Sequence, residues 1–151
     1  MGGDLPLKLR RRARVIAVQS LFEVDVAHHD PQQVLVQRFE DEQFPVEGQG
    51  FCQSLVLGAL SHLAVLDEII RRMAPDWPLE QMPAVDRNIL RLAVHEIVFV
   101  RDTPNKVVIN EAVELAKLLG SESSSRFVNG VLGTLVAHQQ DLVSKLGLAV
   151  D

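Results

Sequence analysis

The stretch Pro83-Ala-Val-Asp-Arg-Asn-Ile-Leu-Arg-Leu-Ala-Val-His-Glu-Ile-Val-Phe-Val-Arg101 decides the fold class. Ile89, Leu90, Leu92, Ala93, Val94, Ile97, Val98 and Val100 cover most of a helix circumference, not one stripe of it. Such a helix belongs at the centre of a bundle, and its amphipathic partners are legible on both sides. Upstream, the period predicts a helix over about Leu7–Ala27, with Ala13, Ile16, Ala17, Leu21 and Val24 on one face. Asp30-Pro31 reads as an N-cap followed by proline at the first helical position. It opens a helix to about Phe44, with Val34, Leu35 and Phe39 inward. Pro45 and Gly48-Gln49-Gly50 are expected to break it. A third helical stretch, Phe51–Met73, is expected to bend near Gly58 or Ser61. Ala74–Pro83 carries Trp77 and three prolines, so it is a corner with at most one helical turn.

Downstream, Thr103-Pro104 opens a helix that Gly120 closes at its C′ position. On this helix Val108, Ile109, Ala112, Leu115, Ala116 and Leu119 are expected inward, with Asn110, Glu111 and Glu114 outward. The serines of Ser121–Ser125 offer caps for a last helix over Ser123–Val143. Within it Gly130 and Gly133 are expected to permit close helix approach. Tyrosine is absent and no alternating strand pattern persists. The expected architecture is an all-α bundle of six or seven elements with short connections.

Composition narrows the function. A chain of 151 residues, 47% hydrophobic and 23% charged, fits one globular domain. Its single cysteine, Cys52, excludes an intramolecular disulfide and a cysteine zinc cage, and suits a reducing cytosol. The longest apolar run, Leu55–Leu66, is broken by Ser61 and His62 and falls short of the ~20 residues a bilayer needs. Val15–Val18 is interrupted too soon to form a signal-peptide core. The net charge of −5 is unevenly spread: residues 1–14 carry +4 through Lys8, Arg10, Arg11, Arg12 and Arg14, and the remainder carries −9. An acidic body with a basic arm favours one local anion-binding edge over general nucleic-acid coating.

No set of residues points to catalysis. His28, His29, His62, His95 and His138 lack HExxH spacing, so they read as solvated or hydrogen-bonded side chains and no metal is expected. Cys52 reads as packing in an apolar helix. The serine run lacks a strand–turn–helix setting. No phosphate-cradling glycine loop is present, so no cofactor is expected. The arginine run alone is compatible with RNA binding, because guanidiniums bind phosphates bidentately, and equally with a solvated helix start.

Four blocks carry a family resemblance: Arg10-Arg-Arg-Ala-Arg14 with Ala17-Val-Gln-Ser-Leu-Phe22; Ile89-Leu-Arg-Leu-Ala-Val-His-Glu96; Pro104-Asn-Lys-Val-Val-Ile-Asn-Glu-Ala-Val-Glu-Leu-Ala-Lys117; and Arg126-Phe-Val-Asn-Gly-Val-Leu132. In this order they resemble the NusB family of transcription antitermination factors. The resemblance implies about seven helices in two packed subdomains, here 1–78 and 79–151. It implies a non-enzymatic, cytoplasmic protein. It implies binding of boxA RNA together with NusE, the small-subunit ribosomal protein, within an RNA polymerase complex that suppresses premature termination of ribosomal RNA transcription. Residue by residue, it assigns Lys8, Arg10, Arg11, Arg12 and Arg14 to RNA. Phe127 and Asn129 are placed near the RNA-facing edge. Phe22 and Asp86 are placed at the NusE contact. Ser123 stands where the family often has an acidic residue. Some members self-associate through the NusE surface, so a homodimer is a further expectation. NusB-like domains also occur fused to an RNA methyltransferase; the initiator Met1 and the length speak against a fragment of one. A helical interaction module that has lost RNA binding is the other alternative, and the intact arginine run speaks against it.

Overall fold

The computed structural model describes residues 5–147, the side chain of Val143 excepted. Eight α-helices are formed among them, and no strand. Helix α1 spans Leu7–Ala27, α2 Pro31–Asp41, α3 Val46–Ser61, α4 Leu63–Met73, α5 Ala84–His95, α6 Asn105–Leu119, α7 Ser124–Ala137 and α8 Gln139–Lys145. Among the described residues no single helix is long and apolar enough to cross a membrane.

Helix α5 is the central element, packed against α1, α3, α4, α6 and α7. Ile89, Leu90, Leu92, Val94 and Ile97 are at most 1% exposed, which is what an apolar circumference requires. Its polar residues Asn88, Arg91, His95 and Glu96 are also buried, so each must find a partner or stay neutral. The helix widens into a π turn over Glu96–Val100 and stops at Arg101, in the left-handed region at φ 61°. The Arg101 N–H donates to the Glu96 carbonyl at 2.8 Å.

The period-based boundaries hold where local signals are strong. α1 matches its expected span, and Asp30 caps α2 by accepting from the Gln33 N–H at 3.1 Å. Elsewhere tertiary packing moved them. α2 ends at Asp41, not Phe44, because Phe44 turns in to stack on Phe39 with ring centroids 5.8 Å apart. Pro45 then precedes the first turn of α3, and Gly48-Gln49-Gly50 stays helical instead of breaking it. The expected bend of the third stretch is a 76° break at His62 that separates α3 from α4. The last helix is likewise split at His138 into α7 and α8.

Two glycine expectations are corrected. Gly120 has φ −97°, so it does not close α6 with a left-handed residue. It is required instead by close approach: a Cβ there would lie 2.5 Å from the Ser124 hydroxyl. Gly130 and Gly133 mediate no close helix approach, since a Cβ on either would meet nothing within 4 Å.

Candidate nucleic-acid interface

The direction of α1 is set by two ion-pair clusters along α5. Near its start, Arg14 donates from Nε and Nη2 to Glu96 at 2.9 and 2.8 Å. Near its end, Asp25 accepts from Arg87 at 3.0 and 2.8 Å and from Asn88 at 3.0 Å. Arg91 also reaches Asp25, and it donates to both oxygens of Asp67 at 2.8 and 3.0 Å, tying in α4. The two helices therefore run antiparallel. Burial acts to raise the Asp25 pKa, but the hydrogen bonds from Arg87 and Asn88 outweigh it and hold the carboxyl below its usual range. Helix α6 lies beside α1 in the same sense: Arg11 meets Glu111, Val15 shares a groove with Leu115 and Leu118, and Val18 and Phe22 share one with Leu119.

This frame sorts the arginine run. Lys8 is exposed. Arg10 is half-buried, with its Nε buried and without a partner. Arg12 is exposed, its guanidinium 5.2 Å from the Phe44 ring centroid and 3.4 Å from the Glu42 carbonyl. Arg11 keeps a 52% exposed side chain while donating to Glu111 from Nε at 3.1 Å and Nη2 at 2.6 Å. Arg14 does not belong with them. It is 2% exposed, bonded to Glu96 and placed over the Phe51 ring, so the expectation that its guanidinium meets RNA is corrected. Burial works against its charge, and the Glu96 hydrogen bonds more than restore it. Lys8, Arg10, Arg11 and Arg12 are thus the basic side chains that the start of α1 leaves wholly or partly exposed.

The other expected site residues lie elsewhere. Phe22 is half-buried and lines a groove with Val18, Val85 and Leu119, rimmed by Gln19 and Arg38; Val26 and Leu118, 51% and 67% exposed, extend the apolar surface of α1 and α6. Asp86 is a second correction. It is 2% exposed and accepts from the Ser124 hydroxyl at 2.6 Å, so its carboxylate is buried where it joins α5 to α7 and is not the exposed side chain a direct contact was expected to use. Phe127, one turn into α7, is at the end of α1 opposite the arginines; 14 residues of helix, Arg11 to Asp25, span about 20 Å. Asn129 is exposed on α7.

Sequence reading missed two residues that matter here. Trp77, in the proline corner, stands 4.6 Å from the Phe127 ring at 58° and lines an open cleft with Arg126. A lone tryptophan between prolines was the available signal. Glu111 was expected to face solvent and is instead 8% exposed.

Among the described residues no group of three potential metal ligands converges. Cys52 is buried, which pushes its thiol up to about 12. His62 and Phe99 stack at 3.8 Å, and His95 lies 5.5 Å from His62. His95 departs from the expected hydrogen-bonded state: burial, then the neighbouring His62, push it down to about 4, and its Nδ1 has no partner. Gly58 makes room for this ring, because a Cβ there would lie 2.5 Å from the imidazole Nε2.

The NusB family model matches residues 11–137. The transcription antitermination protein NusB of Roseiflexus sp. (strain RS-1) is 53% identical over 135 residues, 88% of this chain and 95% of that protein. That of Roseiflexus castenholzii is 54% identical over the same shares. Among solved structures, T. maritima NusB superposes with a TM-score of 0.77 at 34% identity, over 84% of this chain and 89% of that one. A crystal structure of antitermination factors NusB and NusE in complex with dsRNA superposes with a TM-score of 0.80 at 26% identity, over 87% and 98%.

Proposed function

The chain belongs to the NusB family, and from that premise we propose that it acts in transcription antitermination by binding, without any catalytic step. Its RNA, of the boxA type, lies along the start of α1. NusE, which accompanies NusB and dsRNA in the related crystal structure, docks on the apolar surface around Phe22. The pair acts within an RNA polymerase complex in the cytoplasm. The observation that carries this reading is the charge map. Lys8, Arg10, Arg11 and Arg12 sit together on one helix start, while the chain after residue 14 is acidic by nine charges. Phosphate is therefore attracted to one edge and repelled from the rest of the molecule. Phe127, with Trp77 and Arg126 beside it, supplies aromatic faces for an unpaired base at the far end. Asn129, exposed two residues on, serves the same edge. The division into subdomains at 78/79 is part of the same proposal and is supported by the proline corner Ala74–Pro83, within which it falls.

Binding of RNA to this chain alone is expected to be weak, since few phosphates can be neutralised. NusE strengthens it by holding the RNA from a second side. The test is a titration of boxA-type single-stranded RNA with and without NusE. Tighter binding with NusE supports the reading. RNA affinity that is absent under both conditions at low salt overturns it. A second copy occupying the Phe22 surface in place of NusE shows as a dimer in sedimentation that NusE dissolves.

A further inference from the structure

Two arginines of α1 are held side-on by glutamates, and the two pairs differ in one respect. Arg14 and Glu96 are both 3% exposed in their side chains, a pair closed on all sides. Arg11 and Glu111, one turn earlier, are 52% and 10% exposed. The carboxylate is inside and the guanidinium is at the surface. Glu111 shares the inward face of α6 with Val108, Ala112 and Leu115, so its position is fixed by packing. It accepts from Nε and Nη2 of Arg11. That leaves the end-on edge of the fork, Nη1 and the second Nη2 proton, facing outward; among the described residues nothing accepts from Nη1. This edge is the one that matches two phosphate oxygens. An ion pair with one partner half in water contributes little to folding. What it does supply is a guanidinium with one orientation in place of many rotamers.

Resting on the RNA reading above, we propose that Glu111 is a positioning residue for RNA: it orients Arg11 so that the outer edge of its guanidinium meets a phosphate bidentately. The hydrogen bond from Arg11 keeps the Glu111 carboxyl below its usual range, so the positioner stays charged wherever the protein is handled near neutrality. Lys8 and Arg12 have no carboxylate anchor; Arg12 rests on the Phe44 ring and reaches the Glu42 carbonyl at 3.4 Å. They supply charge without a carboxylate-fixed fork, whereas Arg11 supplies geometry.

The proposal has a sign that simple electrostatics does not share. Glu111→Gln removes a negative charge from the RNA edge, so charge alone demands tighter binding. Positioning demands the opposite: weaker binding by about fivefold, the scale of one ordinary net hydrogen bond. It also demands a salt slope flatter by about 0.7, one lost phosphate on single-stranded RNA. A purely structural role for Glu111 shifts the melting temperature and leaves that slope alone. Glu111→Gln in an Arg11→Ala background should add no further loss. Tighter or unchanged binding by Glu111→Gln overturns the proposal. Should Glu111→Gln fail to fold, Arg11→Lys decides, because it keeps the charge and loses the fork. Arg11→Lys weakened like Arg11→Ala supports positioning; Arg11→Lys with wild-type affinity overturns it. A combined Lys8→Ala and Arg12→Ala protein reports separately on the RNA reading. If it and Arg11→Ala both bind boxA-type RNA like the wild type, the RNA edge is elsewhere and the role of Glu111 falls with it.

Discussion

Arg14 and Glu96, 82 positions apart in the chain, close on each other through two hydrogen bonds of 2.9 and 2.8 Å in the interface of α1 and α5. Both side chains are 3% exposed. The arginine run proposed as the RNA edge thus ends in a residue that belongs to the core. Breaking one half of such a pair strands a buried charge, which costs about 3–5 kcal/mol. Arg14→Ala and Glu96→Gln should each show a loss of that order in urea unfolding. A joint replacement by Met and Leu should cost much less. Equal losses for the single and joint variants would mean the pair is not the unit.

The exposed cations should behave in the opposite way. Lys8→Ala with Arg12→Ala removes two charges with little packing, so thermal stability should hold within about 0.5 kcal/mol per site. The salt slope of boxA-type RNA binding should flatten by about 1.4, at about 0.7 per phosphate. NusE binding should be unaffected. An unchanged slope would remove Lys8 and Arg12 from the RNA edge.

His95 makes stability depend on pH. Its folded pKa is lowered from 6.5 to about 4, so the fold holds it neutral while the unfolded chain protonates it. Stability from this group is full above 6.5 and falls as pH drops toward 4, by up to ~1.4 kcal/mol per unit. Glu111 and Asp25, also lowered, lose stability in the same direction but only in the acid range below ordinary carboxylate values. His95→Leu should therefore flatten the stability profile between pH 6.5 and 4.5 and leave the more acid limb. A profile identical to wild type in denaturant titrations at those pH values contradicts the buried neutral imidazole.

The two residues expected at the protein partner should separate cleanly. Phe22→Asp places a charge in the apolar groove and should abolish NusE capture while the protein remains folded. Asp86→Asn should lose stability by about 1–3 kcal/mol, because the Ser124 hydroxyl loses a charged acceptor, and should still capture NusE. Loss of capture by a folded Asp86→Asn protein would return Asp86 to the interface.

The helices were legible because their cause is local. Ala13, Ile16, Ala17 and Leu21 repeat at helical spacing, Asp30-Pro31 starts a helix by its own chemistry, and the all-round apolar 89–98 stretch has nowhere to go but the centre. The basic edge was equally visible, since it depends on which residue types are present. The roles within the arginine run were not. Arg14 does share the buried stripe with Ala17, Val18 and Leu21, and Glu111 shares one with Val108 and Leu115, so spacing hinted at burial for both. Yet a charge on a buried stripe is tolerable only if an opposite charge meets it, and the partners lie 82 and 100 residues away. That meeting depends on how α1 is set against α5 and α6, which no local pattern encodes. Tertiary packing alone decided that Arg14 is structure, that Asp86 is a tie between α5 and α7, and that Arg11 is held with one edge to the solvent.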